Sequence, residues 1–110
     1  MQLNEYATES QKFANHDLDF KTAIATWGLG ITGESGEVAD IIKKYMGHGH
    51  SLDRTSLIKE LGDVLWYVAA IAREIEVPLE VIAQQNLEKL RNRYGDKFST
   101  EKSIHREVEV

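Results

Sequence analysis

The sequence has 110 residues, the size of one domain, with 42% apolar and 28% charged residues, an ordinary globular balance. Its formal net charge of −5 argues against general nucleic-acid binding, where basic patches normally supply the affinity. No apolar run approaches the roughly 20 residues needed to cross a bilayer. The N-terminus, MQLNEYATESQKFA, lacks the basic-then-apolar pattern of a signal peptide. With no cysteine, disulfides, thiolate catalysis and zinc–thiolate sites are excluded, and a cytoplasmic location is expected.

Residues 3–14 fit a short helix with Leu3, Tyr6, Ala7, Phe13 and Ala14 on or near one side. Residues 20–46 carry a second stripe at helical spacing: Ala23, Trp27, Ile31, Val38, Ile41 and Tyr45. Gly28, Gly30, Gly33 and Gly36 interrupt it, each costing about 1 kcal/mol relative to alanine inside a helix. Either the helix breaks there, or the glycines admit a close neighbour. Gly28-Leu-Gly30-Ile-Thr-Gly33 matches a dinucleotide fingerprint, but no flanking strands are legible and the match is read as accidental.

Gly47-His-Gly49-His ends this helix, and Asp53 is a good N-cap for a third running to about Glu76. Its stripe is Leu57, Leu61, Val64, Val68, Ile71 and Ile75. Pro78 opens a fourth helix with Leu79, Ala83, Leu87, Leu90 and Tyr94 on its apolar side, and Gly95 closes it. The expectation is an all-α chain: an antiparallel four- to five-helix bundle over residues 1–98 and a C-terminal tail over 99–110. The tail ends His105-Arg-Glu-Val-Glu-Val110, whose weak alternation suits a short strand or a partner-gripping arm.

Two segments repeat one pattern: Gly33-Glu34-Ser-Gly-Glu37 and Lys59-Glu60-Leu-Gly-Asp63. Acids three apart share a helical face. Glu34 continues the stripe of Trp27, Ile31 and Val38, and Glu60 lies between Leu57 and Val64, so both acids point inward or to the core's edge. Four ionised carboxylates there would repel one another and lose hydration. A hard divalent cation resolves the conflict, and a set without His or Cys favours Mg²⁺ or Mn²⁺ over zinc. The bland alternative is a set of exposed, salt-bridged acids.

On the fourth helix Asn86, Lys89 and Arg93 follow at three- and four-residue steps, spaced to meet one anionic group. Lys43 and Lys44 are weaker candidates for that role. Trp27 and Trp66 read as core residues rather than stacking platforms. His16, His48, His50 and His105 are given no role.

Three blocks make the chain recognisable: Gly33-Glu34-Ser-Gly-Glu37-Val-Ala-Asp40, Lys59-Glu60-Leu-Gly-Asp63-Val-Leu-Trp66-Tyr67 and Asn86-Leu-Glu-Lys89-Leu-Arg-Asn-Arg93-Tyr94. Over about residues 20–98 they resemble the single-domain MazG-like nucleoside triphosphate pyrophosphohydrolases. The resemblance implies an all-α NTP pyrophosphatase fold, Mg²⁺ dependence, and cleavage of an NTP or dNTP to the monophosphate and pyrophosphate, as in cleansing a nucleotide pool. It also implies a homodimer or homotetramer, which suits a chain too short to bury much of its own surface. Carried over, Glu34, Glu37, Glu60 and Asp63 are the metal ligands, with Glu37 and Glu60 as catalytic candidates. Asn86, Lys89 and Arg93 are the substrate contacts it implies; Lys44 joins them only as the weaker candidate read from its position past Glu37. The His-x-Pro element of the dCTP-preferring relatives is missing between Phe20 and Thr26. Phosphoribosyl-ATP pyrophosphatases are the nearer alternative within the superfamily. A non-catalytic nucleotide- or metal-binding oligomeric regulator is the alternative from another class.

Overall fold

In the computed structural model, which describes residues 1–106, the chain is all-helical. The helices are α1 (Leu3–Ser10), extended by a 3₁₀ turn at Gln11–Phe13, then α2 (Phe20–Gly47), α3 (Arg54–Glu74), α4 (Leu79–Tyr94) and the short α5 (Thr100–Ile104). The boundaries follow local chemistry. Asp19 Oδ1 accepts the Thr22 amide at 2.7 Å, and Asp53 Oδ1 accepts the Ser56 amide at 3.0 Å, so each caps the helix it precedes. Gly95 ends α4 at φ +72°, a left-handed conformation that an L side chain resists. The α4 N-terminus is also capped from a distance: Asn4 Oδ1 accepts the Glu80 amide at 3.1 Å, which ties α1 to α4.

Helix α2 passes unbroken through its glycines. Its packing against α3, along a long antiparallel hairpin, outweighs their local propensity. The core lies at one end of this hairpin, where Ala23 and Trp27 meet Ala70, with Ala14, Leu18, Trp66, Tyr67 and Ile71 around them. Trp27 and Trp66 meet edge to face at 5.4 Å, and both indoles are core residues as expected. Their N–H groups are satisfied: Trp27 donates to Glu74 Oε1 and Trp66 to the Ser10 carbonyl, each at 3.0 Å. The Trp66 bond pins α1 onto α3.

The core is small, and several predicted core positions lie open. Leu61, Tyr45 and Ile75 are about half exposed, and so is Leu87. The reason is geometric: α4 packs by its first turn, where Leu79 is buried, and then leaves the bundle, every residue from Gln84 to Asn92 being exposed. Ile58, Leu61 and Leu65 on α3 stay uncovered in consequence. The radius of gyration is 16.9 Å, against about 13 Å for a compact domain of this length. Residues 100–104 of the expected tail form α5, which returns to α4 through Lys102 Nζ donating to the Tyr94 carbonyl at 3.0 Å. The expected strand or arm at the C-terminal end falls mainly on residues 107–110, outside the described residues.

Candidate active site

The antiparallel register of α2 and α3 places the acids. Trp27 meets Ala70 and Gly30 meets Tyr67; one turn further along α2, Glu34 meets Glu60 and Asp63. One oxygen from each of Glu34, Glu60 and Asp63 lies within 4.8 Å of the others. Glu34 and Glu60 are half-buried and Asp63 is exposed, so the cluster sits at the rim of the hairpin. Glu34 is held above the ordinary carboxylate range. The leading cause is a hydrogen bond shared with Glu60, followed by partial burial and the charges of Asp63, Glu60 and Glu37. A proton shared between two carboxylates marks a site with surplus negative charge.

The donor set suits a hard cation. Three carboxylate oxygens converge with no nitrogen or sulfur ligand, and oxygens around Mg²⁺ stand at most about 4.2 Å apart across the ion. Closing from 4.8 Å to that span asks only for small rotations about the carboxylate side chains. Glu37 lies one turn beyond Glu34, exposed and outside this trio, close enough for its charge to act on Glu34.

The candidate anion contacts gather elsewhere. Asn86, Lys89 and Arg93 line an open groove of about 1190 Å³ between α4 and α5, large enough for a nucleotide. Lys102 and Arg106, in the segment expected as a tail, line the same groove and add positive charge. None of the four carboxylates borders it among the described residues. Lys44 is engaged by its own helix: its Nζ pairs with Asp40 at 3.0 Å, and Lys43 reaches the same carboxylate at 3.6 Å. These ammonium groups hold the Asp40 carboxyl below its usual range.

Sequence reasoning missed Tyr6. Partial burial and, after it, the charge of the Asp63 carboxylate push its phenol above the ordinary range, so it lies within electrostatic reach of the acidic cluster. On its own helix Tyr6 is just another member of an apolar face. Only the docking of α1 on α3 brings it there.

A helical hairpin presenting convergent carboxylates, followed by a helix bearing basic groups, is the frame of a nucleotide-processing enzyme family. Residues 22–98 match the family model of the MazG nucleotide pyrophosphohydrolase domain, and the chain belongs to that family. Over 81 residues it is 37% identical to the Gene 37 protein of Mycobacterium phage L5, a match covering 70% of this chain and 71% of that one. No solved structure matches. Among the described residues no helix is long and apolar enough to cross a membrane.

Proposed function

We propose that the protein is a Mg²⁺-dependent nucleoside triphosphate pyrophosphohydrolase, converting an NTP or dNTP and water to the monophosphate and pyrophosphate. The observation that carries this reading is the convergence of Glu34, Glu60 and Asp63 in a chain of the MazG family. These three would hold the ion, and Mn²⁺ has the same preference for oxygen. The bound ion would supply charge neutralisation at the phosphates and a lowered pKa for water. Glu37, outside the trio, is then left to orient water or take its proton; Glu60 would combine ligation with a contact to that water through its other oxygen. Asn86, Lys89 and Arg93 would grip the phosphates and neutralise charge developing there, with Lys44 as a lesser contact after release from Asp40.

The acids and the groove are apart within one chain, and the faces carrying Leu61, Leu65, Leu87 and Leu90 are uncovered. Both features support a homodimer or homotetramer in which a second copy covers the α3 stripe and brings its own α4 toward the carboxylates. Such burial is what a chain with so small a core needs.

The test is a panel of canonical and modified NTPs and dNTPs, with phosphoribosyl-ATP included, incubated with the protein and Mg²⁺. Equal release of monophosphate and pyrophosphate is expected. Orthophosphate release, or binding without turnover, would refute the reaction; turnover of phosphoribosyl-ATP alone would move the protein to that related activity. Glu60→Gln should lose turnover and the Mg²⁺-induced rise in melting temperature together, with its helical content retained.

A further inference from the structure

Helix α2 carries four glycines between residues 28 and 36, and their surroundings differ. A Cβ on Gly28, Gly33 or Gly36 would meet nothing within 4 Å among the described residues. A Cβ on Gly30 would fall within van der Waals contact of the Tyr67 ring at Cε1, Cζ and Cδ1. The ring therefore rests on bare α2 backbone. It is also walled in, meeting Trp66 edge to face at 5.1 Å and 88° and Trp27 tilted at 6.3 Å. A group wedged between two indoles and a helix backbone acts as a rigid spacer.

The place of this spacer gives it a consequence. Gly30 precedes Glu34 by four residues on α2, and Tyr67 follows Asp63 by four on α3. Residues four apart share a helical face one turn, about 6 Å, away. The contact thus sits one turn below the carboxylate cluster, on the faces that carry it. The surplus negative charge on the three acids pushes α2 and α3 apart at Glu34 and Asp63, so the separation there must be set by packing nearby. An octahedral ion with bonds of about 2.0–2.1 Å tolerates little error in ligand spacing.

We propose that the seating of the Tyr67 ring on the Gly30 backbone sets the separation of α2 and α3 at which Glu34, Glu60 and Asp63 grip a divalent cation. Gly30 and Tyr67 are positioning residues of that centre. This inference rests on the reading of the three acids as cation ligands.

The experiment is titration of the purified full chain with Mn²⁺ alone, with free ion followed by electron paramagnetic resonance well below the melting temperature. Gly30→Ala forces the helices apart and Tyr67→Leu removes the spacer. Each is expected to weaken binding by about tenfold to a hundredfold, the range seen when outer supports of a metal site are lost. Tyr67→Phe keeps the ring and Gly28→Ala fills open space, so both should bind as the wild type does. The double variant Gly30→Ala/Tyr67→Leu, in which a methyl group refills part of the vacated space, should recover most of the affinity.

Wild-type affinity in Gly30→Ala or in Tyr67→Leu overturns the positioning role and leaves the ligand reading standing. No Mn²⁺ uptake by the wild type overturns that reading and this inference with it. Should Gly30→Ala fail to fold, the contrast between Tyr67→Leu and Tyr67→Phe decides the matter: equal affinities would refute the spacer.

Discussion

Trp27→Phe is the sharpest test of how this small core is held. Trp27 is 5% exposed and is the one large side chain at the centre of the cluster. Its Nε1–H donates to Glu74 Oε1 at 3.0 Å, an oxygen that also faces Arg73 Nη2 at 3.7 Å. Phenylalanine keeps the apolar contacts with Trp66 and Tyr67 but removes that donor. Losing a hydrogen bond to a mostly buried charged acceptor costs about 1.5–3 kcal/mol. The missing ring atoms leave a partial cavity worth about 1 kcal/mol more. The total, roughly 2.5–4 kcal/mol, is a large share of the 5–15 kcal/mol that typically holds a domain, and corresponds to a melting temperature lowered by roughly 10 °C or more.

Urea unfolding followed by far-ultraviolet circular dichroism, at one protein concentration, measures the loss. Glu74→Leu should cost as much or more, because it orphans the Trp27 N–H and strips the buried Arg73 Nη2 of the carboxylate it faces. The Mg²⁺-induced increment should survive in Trp27→Phe, since the phenyl ring keeps a wall against Tyr67 and the acids lie two turns away along α2. A Trp27→Phe protein within about 0.5 kcal/mol of the wild type would refute the role given to the indole N–H.

Three further outcomes are expected. In EDTA the melting temperature should rise as pH falls from neutrality toward the ordinary carboxylate range. Glu34 titrates above the ordinary range, so its contribution is complete when it is protonated and is lost as pH rises through its raised pKa. Saturating Mg²⁺ should abolish that rise, and a metal-free profile flat over this interval would refute the repulsion. Further acidification should reverse the trend. The capping carboxylates Asp19 and Asp53 titrate below the ordinary range because backbone N–H groups hold them ionised, and their contribution disappears as they protonate. Leu87→Asp or Leu90→Asp should lower the assembly state by analytical ultracentrifugation; an unchanged sedimentation coefficient would remove α4 from the proposed interface. Asp53→Ala should destabilise the chain by about 0.5–2 kcal/mol through loss of its cap, read by thermal melting.

Much of this protein is decided within single helices. The period of Ala23, Trp27 and Ile31, the caps at Asp19 and Asp53, and the stop at Gly95 need only neighbours a few residues away, so helix type and ends are legible in one dimension. The acid pairs are legible for the same reason: a spacing of three fixes a shared face wherever the helix lies.

What no local rule contains is the offset of one helix against another. The register that joins Glu34 to Glu60 and Asp63 while leaving Glu37 outside the trio was decided by tertiary packing at Trp27–Ala70 and Gly30–Tyr67. The same packing carried α2 through four glycines whose propensities alone allowed a break. It brought Tyr6 within electrostatic reach of Asp63, and it sent α4 away from the bundle with Asn86, Lys89 and Arg93 on a groove of their own. Propensity and spacing act over one turn, whereas these placements depend on which surfaces meet across the fold. The sequence determined what each helix would be; only the packing decided which carboxylates would converge.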